Sequence, residues 1–292
     1  MTPQRRTARG GRGLTVVKVG GRVLQASAGP AILDAVAGAW SRGDELLLVH
    51  GGGHELTHWL ERLGIQSRFV EGQRVTTGES LPVAVMVLGG LVNRRIVEEL
   101  VRRGCQAVGL TGADGAGTVA EPIDDPPLGA VGRVVSVDAS FYRDLIVARR
   151  LPVVASLAIN GTRGWLNVNA DLMAAALAAG LAARRLLLMT DVPGVRDADG
   201  TVLQHLTLSH LESLIDSGGA RDGMIPKLQA CREALRAGVP EVRVLGPDGE
   251  GLARALRGEG GSGTRVRIDA GEVATHGRDE AIDIFINTAH ET

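Results

Sequence analysis

The stretch Glu45-Leu46-Leu47-Leu48-Val49-His50-Gly51-Gly52-Gly53 decides the fold class. Four aliphatic residues in a row, without the alternation of a half-exposed strand, describe a strand buried on both faces. That is the situation of a parallel sheet covered by helices. The glycines that end it have no side chains to pack and let a ligand approach the backbone closely. Upstream, residues 14–19 form another apolar strand, with Lys18 two positions before Gly20-Gly21, and residues 30–40 read as the helix between the two strands. Downstream, 54–63 and 141–148 are helical, and 80–103 is a long amphipathic helix with Gly89 and Gly90 in its middle. Residues 107–110 and 152–157 are strands, and 116–137, with β-branched pieces, Pro and Gly, looks like hairpins.

The second half repeats the style. Asn169 is placed to cap an Ala-rich helix over 170–182. Strands at 186–190, 241–245 and 264–268 alternate with helices at 208–216, 226–237 and 251–256, and Pro226 suits the first turn of its helix. Alternating helices and apolar strands predict a mostly parallel, doubly wound α/β sheet.

At 292 residues the chain can build one large domain or two lobes. Its net charge of −1 gives no bulk attraction to nucleic acid or membrane, so neither is expected as a partner. With 41 glycines and 2% aromatics, the core must be Ala, Val and Leu. The longest apolar segment, 172–189, is broken by Gly180, Arg184 and Arg185, so no transmembrane helix is expected. The basic start lacks the apolar run of a signal peptide, and the expected location is cytoplasmic. Cys105 and Cys231 fall in helix-like stretches without metal or redox spacing and read as reduced thiols.

Several motifs carry chemistry, each with a plainer alternative. Lys18 stands where open α/β sheets bind ligands, at the C-terminal end of a strand, but alone it is equally a surface lysine. His50-Gly51-Gly52-Gly53 resembles an esterase oxyanion loop, yet no Gly-x-Ser-x-Gly nucleophile exists. A metal pair of His50 and His54 would need one helix face, and glycines fill the interval, so no metal site is expected. Gly258-Glu259-Gly260-Gly261-Ser262-Gly263 follows a helix and precedes a strand, the reverse of the dinucleotide-binding order, and reads as a loop. Asn169 and Asp171 fit a helix cap and first turn, but capping does not explain Asn167. Asp191 begins a strand-to-turn junction where a base or ribose could sit. Lys227 follows the loop Gly218-Gly219-Ala220-Arg221-Asp222-Gly223.

In their joint order these motifs resemble the amino acid kinase family, and within it the acetylglutamate branch. The quoted residues are Lys18-Val19-Gly20-Gly21, His50-Gly51-Gly52-Gly53, Arg74-Val75-Thr76-Thr77, Gly90-Leu91-Val92-Asn93-Arg94, Gly129-Ala130-Val131-Gly132, Asn167-Val168-Asn169-Ala170-Asp171, Thr190-Asp191-Val192-Pro193-Gly194-Val195 and Gly223-Met224-Ile225-Pro226-Lys227. The resemblance spans about residues 14–268. It implies a three-layer αβα sandwich with a leader over 1–13, an amino-acid-substrate lobe over 14–170, an ATP lobe over 171–269 and a tail of unknown role over 270–292. Lys18 and Lys227 resemble the lysines that stabilise the transferring phosphoryl group, and Asp171 the acid that orients both. Gly20, Gly21, Gly51 and Gly52 resemble backbone donors around substrate and phosphates. Arg74 resembles the arginine gripping a substrate carboxylate, and Asn167 the residue on the substrate's main polar group. Thr190, Asp191, Gly194, Val195, Gly223 and Met224 fall on the nucleotide side.

The implied reaction uses ATP and Mg²⁺ to phosphorylate the side-chain carboxylate of N-acetyl-L-glutamate in arginine biosynthesis. Two alternatives stay open: a kinase for carrier-protein-bound aminoadipate or glutamate, and a non-catalytic amino-acid or nucleotide sensor on the same fold. The leader is too short and glycine-rich for the extra helix of arginine-inhibited hexamers, so a homodimer is expected, with helix 80–103 as its candidate face. Ala158-Ile159-Asn160-Gly161 departs from the family pattern, so the substrate-side loop is expected to differ.

Overall fold

The structure, a computed structural model, describes residues 13–268 apart from 71, 125, 163, 198 and 218–223. Most of the expected leader and the whole tail therefore lie outside the described residues.

The first half contains β1 (Thr15–Val19), α1 (Gly21–Gln25), α2 (Gly29–Ser41), β2 (Leu46–His50), α3 (Gly53–Arg62), β3 (Phe69–Val70) and β4 (Gln73–Arg74). A continuous helix follows, made of α4 (Ser80–Ala84), a π-helical segment (Val85–Val92) and α5 (Asn93–Arg102). Next come β5 (Ala107–Leu110), β6 (Thr118–Pro122), β7 (Val131–Val137), α6 (Ala139–Val147), β8 (Leu151–Ala155), β9 (Leu157–Asn160) and β10 (Gly164–Val168). The rest is α7 (Ala170–Gly180), β11 (Arg185–Met189), β12 (His205–Thr207), α8 (Leu208–Asp216), α9 (Met224–Arg236), β13 (Glu241–Leu245), α10 (Gly249–Arg257) and β14 (Thr264–Arg267).

The apolar runs pair as expected of doubly covered strands. The main sheet has the order β12-β14-β13-β11-β1-β2-β8-β5, and β1, β2, β5, β8, β11 and β13 run parallel. β14 is antiparallel to β13 and parallel to β12, so these two edge strands run the other way. Strands from before residue 170 lie on one side of the sheet and strands from after it on the other. They meet where β1 pairs with β11. Alternate residues feed opposite faces: Val16 packs into one apolar cluster, Val17 and Val19 into the other. Helices cover both faces, as an αβα sandwich requires.

Four helices start on side-chain caps: Asn169 on α7, as expected from the sequence, with Asp138 on α6, Thr207 on α8 and Asp248 on α10. At its far end α10 stops on Gly258 with φ 84°, and buried arginines take nearby carbonyls. Arg185 Nη1 donates to Ala255 O at 2.5 Å and Arg243 Nη1 to Glu259 O at 2.6 Å.

Several expectations need correction. Ala158-Ile159-Asn160 is not a loop: it is β9, paired antiparallel with β10. These two strands close a small barrel with β6 and β7. Cys105 is buried in the turn after α5, not in a helix, whereas Cys231 is buried within α9. The segment Ser80–Arg102 is long and apolar enough to cross a membrane by length and composition, which the reading from 172–189 missed. Here its apolar face, including Val83, Val87, Leu88, Ile96 and Leu100, is packed into the core.

Candidate active site

The site grows from the C-terminal edge of the sheet. Lys18 is the penultimate residue of β1, and the chain turns at once through Gly20 into α1. Gly20 lies against the ammonium: a Cβ built there would sit 3.8 Å from Lys18 Nζ. One strand over, β2 ends in the second glycine loop. A Cβ at Gly21 would come 3.1 Å from Gly52 Cα, and one at Gly51 3.2 Å from Ala170 Cβ. Two bare loops thus touch each other and the start of α7.

Helix α7 is almost wholly buried. Its alanines let α9 pack closely against it. That packing brings Asp171, in the first turn of α7, against Lys227, in the first turn of α9. Lys227 Nζ lies 3.0 Å from Asp171 Oδ1 and 2.9 Å from Oδ2, and Lys18 Nζ lies 2.8 Å from Oδ1. Residues 18, 171 and 227 therefore meet at one carboxylate, and all three are buried. Burial pushes the Asp171 carboxyl up, but the Lys18 and Lys227 ammonium groups outweigh it and hold it at about 2. Burial pulls Lys18 below the usual lysine range, and Asp171 only partly offsets that. Two lysines facing one carboxylate in a poorly solvated place form an attraction for an anion.

Beside the trio opens a cleft lined by Gly51, Gly52, Gly53, Ser156 and Asn167 and by apolar Leu56, Leu88, Val131 and Val168. Arg74 is the one charged side chain among its described lining residues. Its guanidinium is held by Ser67 Oγ at 2.6 Å, Gly53 O at 3.0 Å and Thr57 Oγ1 at 2.5 Å, and it stacks 4.6 Å from the Phe69 ring centre. Burial draws Arg74 down from the ordinary arginine range. Asn167 donates to buried Thr76 Oγ1 at 3.0 Å. Such a cleft suits a small molecule with an apolar body and a carboxylate.

The residues expected on the nucleotide side divide. Thr190 and Asp191 stand at the end of β11. Thr190 Oγ1 donates to Asp191 Oδ1 at 3.2 Å, and Arg22 Nη1 donates to Asp191 Oδ2 at 3.0 Å. Gly194 and Val195 turn inward instead: a Cβ at Gly194 would lie 2.8 Å from Thr264 Oγ1, and the Val195 N–H already donates to that oxygen at 2.9 Å. Met224 is half-buried at the start of α9, and Gly223 lies outside the described residues. Among the described residues no group of three His, Cys, Asp or Glu side chains could hold a metal ion. His50 is buried with both ring nitrogens engaged, and His54 is exposed.

Sequence reasoning missed the residues that hold these groups in place. Ser67, Thr57 and Thr76 had no role, though Thr76 lies in a quoted motif. Arg22 follows the glycine pair directly and was passed over.

A family model described as the amino acid kinase family matches residues 13–246. The chain belongs to the amino acid kinase family. An acetylglutamate kinase of Rubrobacter xylanophilus is 45% identical over 252 residues, covering 86% of this chain and 96% of that relative. One of Koribacter versatilis is 43% identical over 233 residues, covering 79% and 89%. Among solved structures, smu.665 from Streptococcus mutans UA159 superposes with a TM-score of 0.76 at 28% identity, covering 88% of this chain and 99% of that one. An amino acid kinase with this trio is equipped for transfer between anions.

Proposed function

We infer that the chain is an ATP-dependent kinase that phosphorylates the side-chain carboxylate of N-acetyl-L-glutamate, a step of arginine biosynthesis. The observation that carries the reading is the buried Asp171 carboxylate shared by Lys18 and Lys227, beside a cleft whose described lining holds Arg74 as its charged side chain. The similarity to acetylglutamate kinases supports the choice of acceptor.

The acceptor carboxylate has an ordinary pKa of about 4.3 and is ionised at neutral pH, so no general base is needed. One of its oxygens bonds to the γ-phosphorus as the bond from that phosphorus to the β,γ-bridging oxygen breaks. The electron pair leaves with ADP, an acyl phosphate remains, and no proton moves. The obstacle is an anion meeting a polyanion. Lys18 and Lys227 offset that charge, Asp171 holds them at fixed spacing, and the N–H groups of Gly20, Gly21 and Gly52 add donors, whereas the Gly51 N–H, expected among them, is taken by Val19 O at 3.4 Å and Gly51 serves by leaving room. Arg74, braced by Ser67 and Thr57, keeps donors free for the amino acid's α-carboxylate, and Asn167 meets its amide side. Thr190, Asp191, Gly194, Val195, Gly223 and Met224 shape the nucleotide side. Mg²⁺, carried by the phosphates, would neutralise their oxygens when bound, and the described residues supply no cage of their own for it.

The reading divides the chain at residue 170 into a substrate half and a nucleotide half. It places the enzyme in the cytoplasm as a homodimer, with the helix Ser80–Arg102 as the contact face. Met86 and Val101 are exposed apolar residues along it. An acceptor screen with ATP, trapping acyl phosphate as hydroxamate, tests the function. N-acetyl-L-glutamate should give the strongest product. No product from the free amino acid, with product only from a carrier-linked glutamate or aminoadipate, would overturn the choice of substrate.

A further inference from the structure

His50 has no part in the chemistry just described, yet its buried ring is fully engaged. Nδ1 lies 2.9 Å from Gly51 O, and Nε2 lies 2.9 Å from Asn93 Nδ2. A carbonyl only accepts, so Nδ1 carries the proton and Nε2 accepts from the asparagine amide. That amide's other proton goes to Val153 O at 2.9 Å, and Arg94 Nη2 donates to Asn93 Oδ1 at 2.7 Å. Neither His50 nor Asn93 has any exposed surface. A saturated polar network lies under the glycine loop where aliphatic residues would fill the space with less desolvation. The strand itself needs no such network, since its other positions are Leu and Val.

The carbonyl that His50 holds and the N–H of Gly52 belong to one planar trans peptide, in which C=O and N–H point in opposite directions. Fixing the oxygen on the ring turns the Gly52 N–H away from it, at the N-terminus of α3, which has no side-chain cap. The adjoining surfaces are tight: a Cβ on Gly52 would lie 2.6 Å from Leu88 Cδ2 and 3.2 Å from Val92 Cγ2. Glycine is required for the close fit, but glycine alone leaves the peptide plane free to rotate. The histidine supplies the missing constraint.

The geometry points to His50 and Asn93 as positioning residues that set the Gly51–Gly52 peptide plane and so aim the Gly52 N–H at the phosphoryl group in transfer. This deepens the kinase reading above and rests on it. Neither side chain touches the reacting atoms. Their effect reaches the reaction through one backbone donor, so it belongs in kcat rather than in substrate affinity.

The test compares His50→Leu, His50→Asn and His50→Gln in the full chain. An asparagine amide nitrogen falls near the place of Nδ1 and still donates to Gly51 O, whereas a glutamine amide reaches the place of Nε2 and leaves that oxygen without a donor. His50→Leu and His50→Gln should lower kcat roughly 10- to 100-fold, with both KM values within about 3-fold of wild type. His50→Asn should recover most of the rate. If His50→Leu does not fold, the Asn and Gln variants carry the comparison. Equal kcat for those two, or wild-type kcat in His50→Leu, would overturn the assignment. A second readout is independent of the acceptor: in protein labelled with ¹⁵N-glycine, the Gly52 amide resonance should move on adding the Mg²⁺ complex of a non-hydrolysable ATP analogue to wild type and His50→Asn, and stay in place in His50→Gln. No movement in wild type also overturns it. A wild type that makes no acyl phosphate from N-acetyl-L-glutamate, yet shows the Gly52 response, supports this proposal while rejecting that substrate.

Discussion

Asp171 is one carboxylate serving two ammonium groups, and its removal leaves two buried cations without a counter-charge. Asp171→Asn keeps the shape and loses the charge. It should destabilise the protein at pH 7 by roughly 3–5 kcal/mol, the range for breaking a buried pair by removing one partner. The gap should depend on pH. The folded pKa of Asp171, about 2, lies below its unfolded value of about 4, so its contribution is complete above pH 4 and fades as pH falls towards 2. The stability difference between wild type and Asp171→Asn should therefore shrink by on the order of 2 kcal/mol between pH 5 and pH 2, measured by urea unfolding. A constant difference would mean the ion pairs do not set that pKa. Lys18 acts in the opposite window. Its folded pKa is lowered, so its charged form costs stability below that pKa, and the cost lifts as the pH rises past the folded pKa towards the ordinary lysine value.

At the scale of elements, α10 offers a stability test away from the chemistry. Arg243 is buried, contacts Glu241 Oε1 at 2.5 Å and caps Glu259 O, yet its Nη2 has no hydrogen-bond partner among the described residues. Arg243→Ala should cost roughly 2–4 kcal/mol through lost packing, an unpaired carbonyl and a weakened ion pair. Arg243→Met keeps the stem and removes the unpartnered N–H, so its loss should be less than half as large. Equal losses would show that charge, not stem packing, dominates. The sheet strands were legible because continuous aliphatic runs such as 46–49 admit little else. The β9–β10 hairpin was not: Ala158-Ile159-Asn160-Gly161 mixes polar and apolar residues, and its partners on β6 and β7 come from distant sequence. The π-helical segment was hidden too. Gly89 and Gly90 marked the middle of the helix, but only the fold shows that a Cβ on Gly89 would sit 3.2 Å from Thr111 Cγ2. The same limit applies to the site. Lys18, Asp171 and Lys227 stand out in the chain, whereas the groups that brace Arg74 and Gly51 are set by tertiary contacts that no local motif announces.

For the whole molecule, the helix Ser80–Arg102 gives a test of assembly. Met86→Glu combined with Val101→Glu puts two charges on its exposed apolar positions. If that face joins two copies, sedimentation should report a 30.5 kDa monomer in place of a dimer. An unchanged dimer would place the contact elsewhere. The larger feature is the seam between β1 and β11, across which the two halves of the chain share one sheet. Lys18 comes from one half, Asp171 and Lys227 from the other, and the three meet beside this seam. The most direct measurement is kcat and KM of Lys227→Ala with ATP and N-acetyl-L-glutamate, read as trapped hydroxamate. A fall in kcat of about 100-fold or more with KM changed only a few-fold is the predicted result. An unchanged kcat, or a loss confined to KM, would contradict it.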